Sequence, residues 1–210
     1  MVTFLSFTVL ILSIILHEVA HGYAADSLGD PTARLSGRLT LNPIPHIDLM
    51  GSIVIPAFFI FTGSPLFFGW AKPVPYNPYN LRNQRWGEAF VAIAGSATNL
   101  TLALIFGLLV RFGGAALPHT AIVLAADITI INLFLGLFNL IPFPPLDGFT
   151  FLRSMLPWKL SDHLTRLQGQ MQGMGAISLV FFFFLFYYLL AGPFSMLISS
   201  VFRLLTGIGI

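Results

Sequence analysis

Apolar positions in this chain come in long, nearly unbroken runs rather than in amphipathic periods. Residues 2–25, 89–110, 121–141 and 173–191 form four such runs, each close to the ~20 residues an α-helix needs to cross a bilayer. A fifth run, 49–61, is too short to cross and contains Pro56. Polar, Pro-rich stretches separate the runs. One covers 34–48 and ends in Asn42-Pro43-Ile44-Pro45-His46-Ile47-Asp48; another covers 62–87 and holds Gly69-Trp70-Ala71-Lys72-Pro73-Val74-Pro75 and Leu81-Arg82-Asn83. They admit short β-strands near 35–41 and 66–74. Residues 149–172 are mixed and partly amphipathic. Pro193 is expected to interrupt the last apolar run, leaving 194–207 as a further helix or a surface segment. The pattern predicts an all-α polytopic membrane protein. It would be a bundle of about four to six transmembrane helices with a re-entrant segment, in a single domain over 1–210.

Composition sharpens this. The 210 residues are 56% hydrophobic and 9% charged, against about 25% charged in an average soluble domain. The mean hydropathy is +0.86. A formal charge of +2 gives no reason to expect a nucleic-acid partner. Cysteine is absent, so a metal would have to be held by His and carboxylate. The first run lacks a basic segment before it and reads as a retained span rather than a cleaved signal.

Charge also constrains topology. If 49–61 dips in and returns, Arg34, Arg38, Lys72, Arg82, Arg85, Arg153, Lys159 and Arg166 share one side, with Arg111 opposite and Arg203 undetermined. Basic residues favour the cytoplasmic side, so the N-terminus would face outward. A crossing at 49–61 would scatter the same charges over both sides.

The first run carries His17-Glu18-Val19-Ala20-His21. Two His four residues apart on a helix are offset by about 40° and roughly 6 Å, so both rings project from one face. They can grip one metal ion, with Glu18 beside them as general base. Ionisable groups at this depth are costly to bury and point to function. A hydrolytic zinc site needs a third protein ligand and an open position. The candidates are Asp147, His46, Asp48, Asp127, His119 and His163. Asp147 leads, because Pro142, Pro144 and Pro145 break the helix just before it, and in the re-entrant topology it emerges on the same face as His21. Asp127 is left either to pair with Arg111 or to lie near the outer interface.

Together, His17-Glu18-Val19-Ala20-His21-Gly22 and Asn139-Leu140-Ile141-Pro142-Phe143-Pro144-Pro145-Leu146-Asp147-Gly148 resemble the two signature motifs of the site-2 protease family of intramembrane zinc metalloproteases. The resemblance covers roughly residues 1–155, the expected catalytic core, followed by C-terminal helices at about 173–207. It is closest to the small bacterial and archaeal type without PDZ or CBS modules. It implies one zinc per chain on His17, His21 and Asp147, Glu18 as catalytic base, and Asn139 holding substrate or the developing oxyanion. One departure is Ser96 in Ala94-Gly95-Ser96-Ala97-Thr98-Asn99, where the family usually has Pro. His46 is an accessory candidate, able to approach the metal or gate water from its Pro-framed loop.

The expected function is hydrolysis of peptide bonds in or near transmembrane segments of membrane-protein substrates, by zinc-activated water. The setting would be a prokaryotic cell membrane, with the site nearer the cytoplasmic side and the lipid bilayer as a partner. An extended edge at 66–74 or 35–41 is expected to receive unwound substrate by β-augmentation. Two readings compete. A non-cleaving metal-dependent protein that binds membrane helices would not need Glu18. A zinc transporter would need a polar path through the whole bundle.

Overall fold

The computed structural model describes residues 2–62, 69–113 and 116–209. α1 (Val2–Ser27) is the first long apolar helix. It ends at Ser27, four residues before Pro31 opens the short α2 (Thr32–Leu35). A π turn over Leu49–Val54 leads into α3 (Ile55–Phe61). α4 (Gln84–Gly113) and α5 (His119–Asn139) form an antiparallel pair. α6 (Asp147–Met155) and α7 (Trp158–Gly173) follow, then α8 (Ala176–Leu185) and α9 (Ala191–Thr206) joined by a π turn over Phe186–Leu190.

Four helical stretches are long and apolar enough to cross a membrane: Leu5–Ser27, Gln84–Gly113, His119–Asn139 and Val180–Thr206. The last corrects the expectation for Pro193. The chain does not break there. Pro193 has no N–H to offer the Leu189 carbonyl, and the wider turn over Phe186–Leu190 lies just before it, so the helix carries through. Arg203 therefore lies at the same end as Arg111, whose guanidinium donates to the Leu204 carbonyl.

The short run behaves as a re-entrant segment. Trp70 N–H donates to the Gly51 carbonyl at 3.1 Å, and Ser52 Oγ donates to the Trp70 carbonyl at 2.9 Å. The chain thus leaves at Gly51 and comes back to the same place at Trp70, which a crossing helix could not do.

No β-strand occurs among the described residues. Residues 35–41 hold the end of α2, a turn and bends. Residues 66–68 lie outside the described residues; 69–77 form no helix and no ladder. The reason is in the hydrogen bonds. The inward N–H groups of Trp70, Lys72 and Val74 go to Gly51 O, His46 O and Glu18 Oε2. Of the alternate positions 71, 73 and 75, two are prolines without a donor. This strap is held to the protein one bond at a time and lacks the repeating edge that β-augmentation requires.

The bundle packs through small residues, as membrane helices do. The buried face of α4 includes Ala92, Gly95, Asn99, Ala103, Gly107 and Val110, spaced three or four apart, with Ser96 beside Gly95. Ala103 joins Leu133 of α5 and Phe202 of α9 in one core cluster; Ala24, Ala25, Leu81 and Val91 form another beneath the strap. The phenylalanine run splits by face: Phe182 is buried against Phe138 and Phe143, while Phe181 and Phe184 point outward.

Candidate metal centre

α1 and α5 run parallel, with α4 antiparallel to both. Ser6 of α1 meets Asp127 of α5, Ser13 meets Asn132, and, eleven residues after Ser6, His17 meets Asp147 at the start of α6. This register brings three potential ligands together. His17 Nε2 lies 3.0 Å from Asp147 Oδ2, His21 Nε2 lies 3.2 Å from the same oxygen, and the two Nε2 atoms are 3.1 Å apart. His17 and His21 are buried, and Asp147 is half-buried. The residues that could hold a metal ion among those described are these three.

The other ring nitrogens say what this triangle is made of. His21 Nδ1 lies 2.7 Å from the Val91 carbonyl. A carbonyl can only accept, so Nδ1 carries the proton and Nε2 keeps its lone pair when the ring is neutral. His17 Nδ1 lies 2.6 Å from Asn99 Oδ1, another acceptor. Three electron pairs therefore face one another about 3 Å apart with no proton of their own between them, an arrangement that calls for a cation. The spacing fits zinc. Ligand bonds of about 2.05 Å in a tetrahedral site give ligand–ligand edges near ~3.3 Å, and three protein ligands leave the fourth corner open.

Local sequence explains the close approach. Asp147 is the first residue of α6, placed there by the turns that follow Asn139 and contain Pro142, Pro144 and Pro145. Gly148 lies so close to the end of α5 that a β-carbon there would fall 2.1 Å from the Leu140 carbonyl oxygen. On α4, Gly95 lies directly against both imidazoles.

Glu18 points from the same helix toward the strap, where its Oε2 accepts from Val74 N–H at 2.9 Å. The strap is secured in turn by the Arg38 guanidinium, which donates to the Lys72 carbonyl at 2.7 Å. Further along it, burial and then the nearby Glu88 carboxylate push the Tyr76 phenol up to about 12, so it stays protonated. At the end of α1, Asp30 accepts from Thr32 N and Oγ1, Asn77 N and Asn80 Nδ2. Burial alone would raise its carboxyl; those donors outweigh burial and lower it.

The remaining sequence candidates are not brought to the triangle. His46 is buried in its loop, with Nε2 donating to the Thr40 carbonyl at 2.9 Å. Asp48 caps the π turn through Gly51 N–H. Asp127 accepts from Ser6 Oγ at 3.0 Å rather than pairing with Arg111. His119 and His163 are exposed. Asn139 is the last residue of α5; its Nδ2 donates to the Leu135 carbonyl at 2.9 Å, which leaves one of its two N–H donors for another partner. Sequence reading missed Asn99, Gly95 and the Val74 N–H. The first two lie in Ala94-Gly95-Ser96-Ala97-Thr98-Asn99, where a buried Asn on an apolar helix was the available signal.

A polytopic helical bundle that gathers His, His and carboxylate, with a Glu beside them, defines a membrane metallopeptidase class. The chain belongs to peptidase family M50, the site-2 protease family: the family's model matches residues 110–188, and a relative that matches over most of the chain agrees. The Bacillus subtilis protein named "Putative zinc metalloprotease YwhC" is 40% identical over 76% of this chain and 73% of its own length. Rip2 of Mycolicibacterium smegmatis, named in the same way, is 32% identical over 70% of this chain. The chain spans 55% of that relative. Rip3 of Mycobacterium tuberculosis is 43% identical over 33% of this chain. No solved structure matches the chain.

Proposed function

We propose that this chain is an intramembrane zinc metalloendopeptidase that hydrolyses peptide bonds in or near transmembrane segments of other membrane proteins. The observation that carries the reading is the triangle of lone pairs on His17, His21 and Asp147, with edges of 3.0, 3.1 and 3.2 Å. These three residues are the proposed ligands. A zinc ion held there supplies Lewis acidity and lowers the pKa of a water to about 7. Glu18 is the proposed general base. With Oε2 anchored on Val74 N–H, its other oxygen is free to take a proton from water and later pass it to the leaving amine. The second N–H of Asn139 is assigned to the substrate backbone.

The cationic end of the bundle supports a cytoplasmic location for that face. Of ten Lys and Arg, Arg111 and Arg203 are at the opposite end. Exposed apolar side chains such as Phe90, Ile105, Phe112 and Phe181 suit a lipid-facing surface. Transmembrane proteins are the substrate class that such a setting supplies.

The test is cleavage of a single-span membrane protein in detergent, comparing wild type, Glu18→Gln and wild type with chelator. Cutting by wild type that chelator stops and zinc restores, and that Glu18→Gln lacks while still binding zinc, is the expected result. Stoichiometric zinc with no cutting across a broad substrate panel would move the assignment to a non-cleaving helix-binding protein.

A further inference from the structure

The proton on His17 is set from two helices away. Asn132 of α5 is fully buried, and its Nδ2 lies 2.9 Å from the Ile128 carbonyl oxygen. That carbonyl can only accept, so the amide end facing it must be the NH2 group. The second Nδ2 hydrogen reaches Ser13 Oγ at 2.9 Å. Asn132 Oδ1 is thereby turned toward α4, where it accepts from Asn99 Nδ2 at 2.8 Å. Asn99 Nδ2 also meets the Ser13 carbonyl at 3.3 Å, a longer contact that favours the same amide orientation without fixing it. Asn99 Oδ1 is left facing His17 Nδ1 at 2.6 Å, and His17 must place its proton there.

We propose that Asn132 is a positioning residue: acting through Asn99, it fixes the ring orientation and tautomer that present His17 Nε2 to the metal. The inference rests on the zinc-site reading above and deepens it. Asn99 alone does not suffice, because a free amide can turn either oxygen or NH2 toward the imidazole. The turned amide would leave Nδ1 as acceptor and Nε2 protonated, with the proton aimed at His21 Nε2 and Asp147 Oδ2. The relay is buried throughout, with Asn99 and Asn132 at 0% and Ser13 at 3% exposure. No solvent is therefore at hand to replace a missing partner. His21 needs no such relay, since a backbone carbonyl holds its Nδ1.

The test measures zinc affinity by chelator competition, and the visible spectrum of the cobalt(II) form, in the full chain in detergent. Loss of an outer partner of a metal-bound His typically costs about 10–100-fold in metal affinity. Asn132→Leu and Asn99→Leu should each weaken zinc binding within that range and change the cobalt spectrum. The double variant should be no weaker than Asn99→Leu alone, because Asn132 acts only through it. Thr129→Val, equally buried one turn away and bonded only to the Ala125 carbonyl, should leave both readouts unchanged. If Asn132→Leu behaves like Thr129→Val, or if the two losses multiply, the proposal is overturned. Should Asn132→Leu not fold, nitrogen NMR of histidine-labelled wild type decides: His17, assigned by its loss in His17→Gln, is expected with Nδ1 protonated, and a proton on Nε2 overturns the relay. A wild type that binds no zinc overturns the metalloprotease reading, and the NMR result still judges the relay on its own.

Discussion

Gly95 on α4 lies so close beneath the histidine pair of α1 that a β-carbon there would fall 2.5 Å from His21 Nε2 and 2.7 Å from His17 Cε1. The absent side chain is the space in which the ligand triangle sits. Gly95→Ala should therefore strike the site before it strikes the fold. A displacement of about 1 Å at a reacting group costs on the order of 100-fold, and comparable losses of cleavage and zinc affinity are expected. The added methyl would cost about 1–3 kcal/mol of stability as overpacking. Zinc titration and thermal unfolding of the same sample separate the two. Unchanged zinc affinity would show that α4 moves aside freely.

Val74 offers a way to disturb Glu18 without touching a ligand. Its N–H holds Glu18 Oε2 at 2.9 Å, between two prolines that have no N–H to substitute. Val74→Pro removes the donor. Val74→Ala keeps it and removes more of the buried side chain than Val74→Pro does. General-base catalysis contributes about 100-fold or more, so a loosened Glu18 should lower kcat by about tenfold. Zinc binding should persist, and Val74→Ala should retain most of the activity. Equal losses in the two variants would assign the effect to packing of the strap.

Much of this was legible in the sequence because membrane helices announce themselves by length and apolarity. The His17–His21 spacing is fixed by one helix, and the prolines before Asp147 mark where a carboxylate can leave the helix and turn. The strap was misread as strand. Alternating hydrophobicity gives no account of where each N–H goes, although Pro73 and Pro75 already excluded a continuous edge. Pro193 was misread because a π turn absorbs a proline locally, and that depends on the neighbouring turns rather than on the residue. Asn99 and Asn132 come together from positions 33 apart, a register that only the packed small-residue face of α4 determines.

Asp30, just after α1, accepts from four donors: two on Thr32 at the start of α2, and one each on Asn77 and Asn80 at the end of the strap and in the turn after it. Because the folded protein lowers its pKa, the carboxylate contributes stability that is fully present above the ordinary Asp value of about 3.9. That stability is lost as pH falls through the folded value. Asp30→Ala should cost about 1–3 kcal/mol at neutral pH, since it leaves part-buried donors without their acceptor. The gap in melting temperature between wild type and variant should be constant from pH 7 to about 5 and close below about 4. A gap that stays open at low pH would mean that packing, not charge, is what Asp30 supplies.

The triangle itself predicts a trade between stability and metal. Without an ion, Asp147 Oδ2 faces two imidazole lone pairs at 3.0 and 3.2 Å, an unfavourable grouping of acceptors in a part-buried site. Asp147→Asn replaces one acceptor by an NH2 group that can donate to both rings. The metal-free variant should therefore melt at a higher temperature than metal-free wild type. Zinc should reverse the order. A ligand present at 100 times its Kd stabilises the state it binds by about 2.7 kcal/mol, so added zinc should raise the wild-type Tm by several degrees and leave the variant nearly unmoved. Thermal melts in detergent, with and without zinc, check both halves at once. A metal-free variant less stable than wild type would mean that a proton, shared between His17 or His21 and Asp147, already neutralises the site, and that metal binding must first displace it.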